Sequence, residues 1–246
     1  MPCRQGRRFP CGRIIVIGAA NATLSSGCRE RAVDMASVLK AFVLSLFPRR
    51  AVVRKKSGNR VYMTFDDGPH PENTPRLLDA LKAHGVKATF FVQGEQVARY
   101  PDVARKITEQ GHTIAGHSWS HRRLPQWAFR DAWIEFDRTR EIIRKVTGVE
   151  TILYRPPYGW VTLPMLVHAA LGRTRLILWS VDSDDDRTRS VAAILTRGRQ
   201  VQGGDIFLCH DDNDAIREAL PALLNEWRAR GLESCALGDD DGAQGK

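Results

Sequence analysis

From residue 61 onward, short apolar runs rich in β-branched and aromatic residues alternate with segments whose apolar positions recur every three to four residues. VYMTF (61–65) leads into TPRLLDALKAHG, and ATFFV (88–92) into DVARKITEQG. TIAGH (113–117) precedes a long helical pattern over 126–147, and ILYRP (152–156) one near 162–171. RLILWSV (175–181) precedes one near 188–199, DIFLCH (205–210) one near 214–230, and SCAL (234–237) closes the series. Gly85, Gly111, Gly148 and Gly231 fall where those helices should stop. The pattern predicts about seven strands with six intervening helices. The strands are nearly continuous apolar runs, as expected where both faces of a parallel sheet are covered. The fold class is therefore α/β, either a doubly wound open sheet or a closed barrel.

Residues 1–60 break this pattern and carry most of the charge. They hold thirteen Lys/Arg against Glu30 and Asp34, a balance of +11, whereas the whole chain is +9. The remainder is close to neutral, which argues against a nucleic-acid-binding barrel and leaves a basic arm near an anionic membrane as the alternative. Within this extension ASVLKAFVLSLF (36–47) is apolar on most sides and is followed by Arg49, Arg50, Arg54, Lys55 and Lys56. It is too short to span a bilayer and reads either as an interfacial anchor or as a helix packed on the barrel. Three organisational units are expected: a basic extension (1–60), the regular α/β domain (61–237) and a Gly/Asp-rich tail (238–246). The five cysteines form no CxxC pair, and Cys209 and Cys235 lie in apolar runs, as small buried hydrophobes do.

Polar residues that do not belong in strand cores gather at the C-terminal ends of the predicted strands, where active sites of parallel α/β folds form. Asp66 and Asp67 end the first, His117 the third with His121 four residues on, Arg155 the fourth, and His210 the sixth; Asp182 and Asp185 follow the fifth. In HSWSH the i,i+4 imidazoles share one face if a helical turn begins there, and two His plus one carboxylate is a common facial set for a divalent metal. Neighbouring residues of an extended chain point in different directions, so one aspartate can ligate the metal while the other faces the water it activates. Without the histidines, DDGP would read as a surface turn. Arg155 is placed to orient the base carboxylate, a backbone N–H near Tyr158, after Pro156, to stabilise an oxyanion, and His210 to act as general acid beside a supporting Asp.

These motifs in this order resemble the polysaccharide deacetylase family, the NodB-homology domain of carbohydrate esterase family 4. TFDDGP, HSWSH, RPPYG, WSVDSDDD and IFLCHD match its successive motifs over roughly 61–237. The resemblance implies a distorted (β/α) barrel, and a metal-dependent removal of acetyl groups from sugars of a chitin- or peptidoglycan-like polymer. It implies Asp66 as base, with Asp67, His117 and His121 holding one divalent cation. The ion expected is Zn2+, with Co2+, Ni2+, Mn2+ or Fe2+ as alternatives. It further implies Arg155 as the residue holding the base, and His210 as general acid supported by Asp185, Asp182 being the other choice. Where the family has Trp, this chain has Asp186, which opens O-acetyl esterase or small-amide hydrolase activity on the same fold. A catalytically silent carbohydrate-binding barrel is the rival from another class. A monomer with a carbohydrate substrate, no nucleic-acid partner and a cell-envelope or membrane-associated location completes the expectation.

Overall fold

The computed structural model describes residues 52–125 and 128–238. The apolar segment 36–47, Arg49, Arg50 and the tail from 239 lie outside the described residues, so the expectations placed on them are not addressed by it. Among the described residues no helix is long and apolar enough to cross a membrane.

The strands are β1 (Val52–Val53), β2 (Arg60–Asp66), β3 (Thr89–Val92), β4 (Thr113–Gly116), β5 (Leu153–Tyr154), β6 (Arg175–Ile177), β7 (Val181–Asp182), β8 (Ile206–His210) and β9 (Glu233–Cys235). The helices are α1 (Asn73–Ala83), α2 (Gly94–Arg99), α3 (Pro101–Glu109), α4 (Phe129–Thr147), α5 (Leu163–Ala170), α6 (Asp185–Thr188), α7 (Val191–Gly198) and α8 (Asp214–Ala229). Every strand pairing is parallel, in the order β1-β6-β5-β4-β3-β2-β8-β7, with β9 beside the start of β2.

The sheet curls into a distorted barrel, and one piece of chain supplies strands at or next to both of its edges, β6 and β7. The stretch expected as a single strand, 175–181, is interrupted at Leu178–Ser180. Its first half pairs with β5 and its second with β8. β1 occupies the gap beside β6, and the chain after it reaches β8: Lys55 forms a bridge with Asp205, and the Lys56 amide donates to the Gly204 carbonyl (2.8 Å). The sheet thus begins at Val52, within the stretch read from sequence as extension. A two-residue strand is too short to register as a pattern.

β2 shows why its sequence is apolar throughout. Val61, Met63 and Phe65 pack outward into the main core with Leu77, Leu81, Phe90, Ile107, Phe207 and Trp227. Tyr62 alternates to the opposite face with Phe91, Ala115, Ile177 and Ile206. Period-two alternation therefore puts Thr64 and Asp66 on that same inner face. Register levels the strand ends: Asp66 pairs with His210 across β2–β8, and Gly116 with Tyr154 across β4–β5. The residues that follow, His117 and Arg155, therefore emerge side by side, with the Arg155 amide donating to the Gly116 carbonyl (2.9 Å).

Candidate active site

At this rim a cleft of about 640 Å³ is lined by Asp66, Asp67, His117, His121 and His210, with Tyr158, Trp160 and Trp179 among its walls. Arg155 lies beneath it, fully buried, its guanidinium over the Phe91 ring (4.1 Å). Arg155 Nη1 donates to both Thr64 Oγ1 (2.8 Å) and Asp66 Oδ1 (2.7 Å). A charge with no access to water needs such a partner. The pairing fixes Asp66 and leaves Oδ2 turned towards the histidines, 3.7 Å from His117 Nε2.

Asp66 and Asp67 do diverge, though by a different route from strand alternation. β2 ends at Asp66, and Asp67 turns into the left-handed region at φ 76°, which Asp tolerates better than most side chains. Its Oδ1 reaches His121 Nε2 (3.2 Å) and His117 Nε2 (3.5 Å), and accepts from Gln93 Nε2 (2.8 Å). The Gly68–Pro69 peptide that follows is cis. Asp211 packs so closely on Gly68 that a Cβ there would lie 2.1 Å from its Oδ2.

The fit of a divalent cation follows from this geometry. Ligands about 2.0–2.2 Å from a tetrahedral zinc are themselves about 3.4 Å apart, the spacing Asp67 Oδ1 keeps from both imidazoles. His117 Nδ1 lies 2.7 Å from the Arg155 carbonyl. A carbonyl only accepts, so Nδ1 donates to it and Nε2 is the ring nitrogen turned towards Asp67, the orientation metal-ligating imidazoles take. His121 is held below its ordinary pKa, by burial first and then by His117. Burial pushes Asp67 upward, but the three imidazoles around it outweigh that and hold it low. A neutral imidazole and an ionised carboxylate are the states a metal requires. The residues fit the group.

Across the cleft His210 Nε2 stands 4.0 Å from Asp67 Oδ2. Its Nδ1 is 2.9 Å from Asp185 Oδ1, and its backbone N–H donates to Asp185 Oδ2 (2.8 Å). Burial alone would lower the His210 pKa; the Asp185 hydrogen bond and charge reverse this and raise it to about 10, with Asp66 and Asp67 adding to the effect. Asp185 is fully buried and also accepts from Ser183 Oγ (2.7 Å). Asp182, the alternative, instead accepts from the Asp184 amide (2.9 Å) and from Arg187 (3.4 Å). Asp186, in the expected Trp position, lines the cleft half-exposed and gives this wall a polar edge. Tyr158, in the left-handed region at φ 59°, sets its ring 4.7 Å from that of His121; Pro156, two residues earlier, is buried.

Two neighbours of the site went unnoticed in sequence. Gln93 is a polar residue directly after an apolar strand, the criterion that found the others. Glu135 is a carboxylate on the buried stripe of α4, among Ala132, Phe136, Thr139 and Ile143.

Two imidazoles and a carboxylate, beside an Arg-held carboxylate and an Asp-held imidazole, form a candidate metal site on the rim of a parallel barrel. The polysaccharide deacetylase model matches residues 53–173. Peptidoglycan-N-acetylglucosamine deacetylase PgdA of Listeria monocytogenes is 34% identical over 200 residues, 80% of this chain and 42% of that protein. Chitooligosaccharide deacetylase of Sinorhizobium fredii is 35% identical over 165 residues, 66% of this chain and 77% of that protein. Among solved structures, a mutant of a Bacillus anthracis CE4 family pseudoenzyme with restored enzymatic activity aligns with TM-score 0.73 at 25% identity, covering 77% of this chain and 71% of that one. The chain belongs to the polysaccharide deacetylase family. It spans 42% of the length of the first curated relatives it matches.

Proposed function

We propose that this chain is a metal-dependent hydrolase that removes acetyl from N-acetylated sugar units of a peptidoglycan- or chitin-like polymer. The observation that carries the reading is the convergence of Asp66, Asp67, His117, His121 and His210 on one cleft, with Arg155 and Asp185 behind them. The names of the relatives support an N-acetyl sugar as substrate.

In this reading Asp67, His117 and His121 hold one divalent cation, zinc being favoured by the N/O donor set. When bound, such a cation lowers the pKa of a water and polarises the acetyl carbonyl. Asp66 takes the proton of the attacking water at Oδ2, while Arg155 keeps Oδ1 in place. The backbone N–H of Tyr158 opposes the charge that develops on the carbonyl oxygen. As the C–N bond breaks, His210 gives its Nε2 proton to the leaving amine, and Asp185 holds the imidazolium it starts from. The products are acetate and a free amino sugar.

The catalytic unit in this reading is 61–237 together with the β1 strand, and it acts as a monomer. The basic segment before it suits an anionic membrane surface, and a cell-wall substrate suits an envelope location. The test is acetate release from chitin oligomers, peptidoglycan and acetylated xylan, with and without chelator, beside metal analysis. Release from the N-acetyl polymers that chelator abolishes is expected. Release from xylan alone would transfer the assignment to O-acetyl ester hydrolysis. Metal bound with no acetate from any substrate would favour the silent barrel, the rival reading of the sequence.

A further inference from the structure

We propose that Glu135 is a positioning residue for the HSWSH turn, fixing the spacing of the His117 and His121 imidazoles and thereby the affinity of the site for a divalent cation. The proposal rests on the reading of Asp67, His117 and His121 as ligands.

The turn between the two histidines is one a chain does not adopt unaided. Ser118 (φ 65°) and His121 (φ 55°) both lie in the left-handed region, which persists in non-glycine residues only where the surroundings over-determine it. Glu135 supplies that constraint. Its Oε2 accepts from the Trp119 amide (2.8 Å) and the Ser120 amide (3.0 Å), and its Oε1 from Ser120 Oγ (2.9 Å) and Arg122 (3.2 Å). Hydrogen bonds to an ionised acceptor are the strong ones, and these two amides belong to the residues between Ser118 and His121. The His121 amide then donates to Ser118 Oγ (2.8 Å), closing the turn.

The same helix holds the turn a second time, with Arg138 lying 3.9 Å over the Trp119 ring. That ring also packs on Gly94, where a Cβ would come within 2.4 Å of it. The first amides of α2 donate to the Ser118 and Trp119 carbonyls (2.9 and 3.1 Å). A carboxylate only 4% exposed on the buried face of a helix is unfavourable without such partners. α4 therefore carries Glu135 for the turn and not for its own packing.

Zinc affinity of the full chain, measured by competition with a chromophoric chelator, tests this alongside the melting temperature of the metal-free protein. Glu135→Ala should weaken zinc by about 10- to 100-fold, the usual loss when an outer partner of a ligand is removed. Glu135→Gln keeps one acceptor oxygen for the amides and should fall between it and wild type. Ile143→Val trims a buried side chain of the same helix away from the turn; it should lower the melting temperature and leave zinc affinity unchanged. A folded Glu135→Ala within about twofold of wild-type affinity overturns the proposal. So does a loss that Ile143→Val reproduces at equal melting temperature. Should Glu135→Ala not fold, Glu135→Gln and Ser120→Ala decide, and wild-type affinity in both overturns it. A wild-type chain that binds no zinc overturns the ligand assignment itself, and this proposal with it; wild-type binding with indifferent variants overturns this proposal alone.

Discussion

Replacing Asp185 by Asn tests the acid half of the site at the point where its chemistry is most displaced from the ordinary. His210 is raised from 6.5 to about 10, so it is an imidazolium at neutral pH and loses its proton only in the alkaline range. That interval corresponds to about 5 kcal/mol of preference for the charged ring. Asn keeps an oxygen for the His210 amide while removing the charge 2.9 Å from Nδ1. What remains is burial, which acts against the imidazolium, and the carboxylates of Asp66 and Asp67, which favour it. Loss of an opposite charge at this range moves a pKa by about 1–3. Ring-proton NMR of the metal-free protein should therefore show His210 titrating about 1–3 pH units lower in Asp185→Asn. The alkaline limb of kcat should move in the same direction. The linkage has a definite sign. A pKa raised in the folded state gives stability that is present below about 6.5 and is lost as pH rises through about 10. Urea denaturation of the wild type should weaken across that window, and that of Asp185→Asn much less. A His210 midpoint that moves by under about half a pH unit would refute the assignment of Asp185 as its partner.

Asp66→Asn should bind metal in wild-type stoichiometry yet lose acetate release by about 10²–10⁴-fold, the range of a lost general base; wild-type turnover would remove Asp66 from the mechanism. His117→Ala should lose bound metal and activity together, read by elemental analysis beside the same assay. Arg155→Met strands the buried Asp66 carboxylate and should destabilise by about 3–5 kcal/mol in urea, with part of that recovered when Asp66→Asn is added. Gly68→Ala forces a methyl to within 2.1 Å of the Asp211 carboxylate and should cost about 1–3 kcal/mol, as overpacking does; an unchanged melting temperature would mean that Asp211 yields freely.

The residues legible in the sequence share one physical signature: a polar group placed where an apolar strand ends. Asp66, His117 and His210 stand out because the sheet buries both faces of β2, β4 and β8, leaving no bland reason for charge at those positions; Arg155 follows the short β5 and is itself fully buried. The parts that escaped are set by the third dimension. Asp182 and Asp185 are equivalent along an extended chain. The choice falls to Asp184, whose left-handed backbone (φ 61°) turns the chain into α6 and delivers Asp185 beneath His210. β1 and the split of 175–181 escaped because two or three residues carry no periodicity; they are held by neighbours already in place. Glu135 is the most informative miss. The sequence predicts its helix, and a glutamate on a helical pattern is ordinarily solvent-facing. Here its stripe is buried, and the partners that make this tolerable lie 13 to 16 residues away in another segment. The proposed ligands could be read because chemistry dictates their residue types. Their spacing could not, because in the proposal made above it depends on a residue whose type is dictated only by the turn it holds.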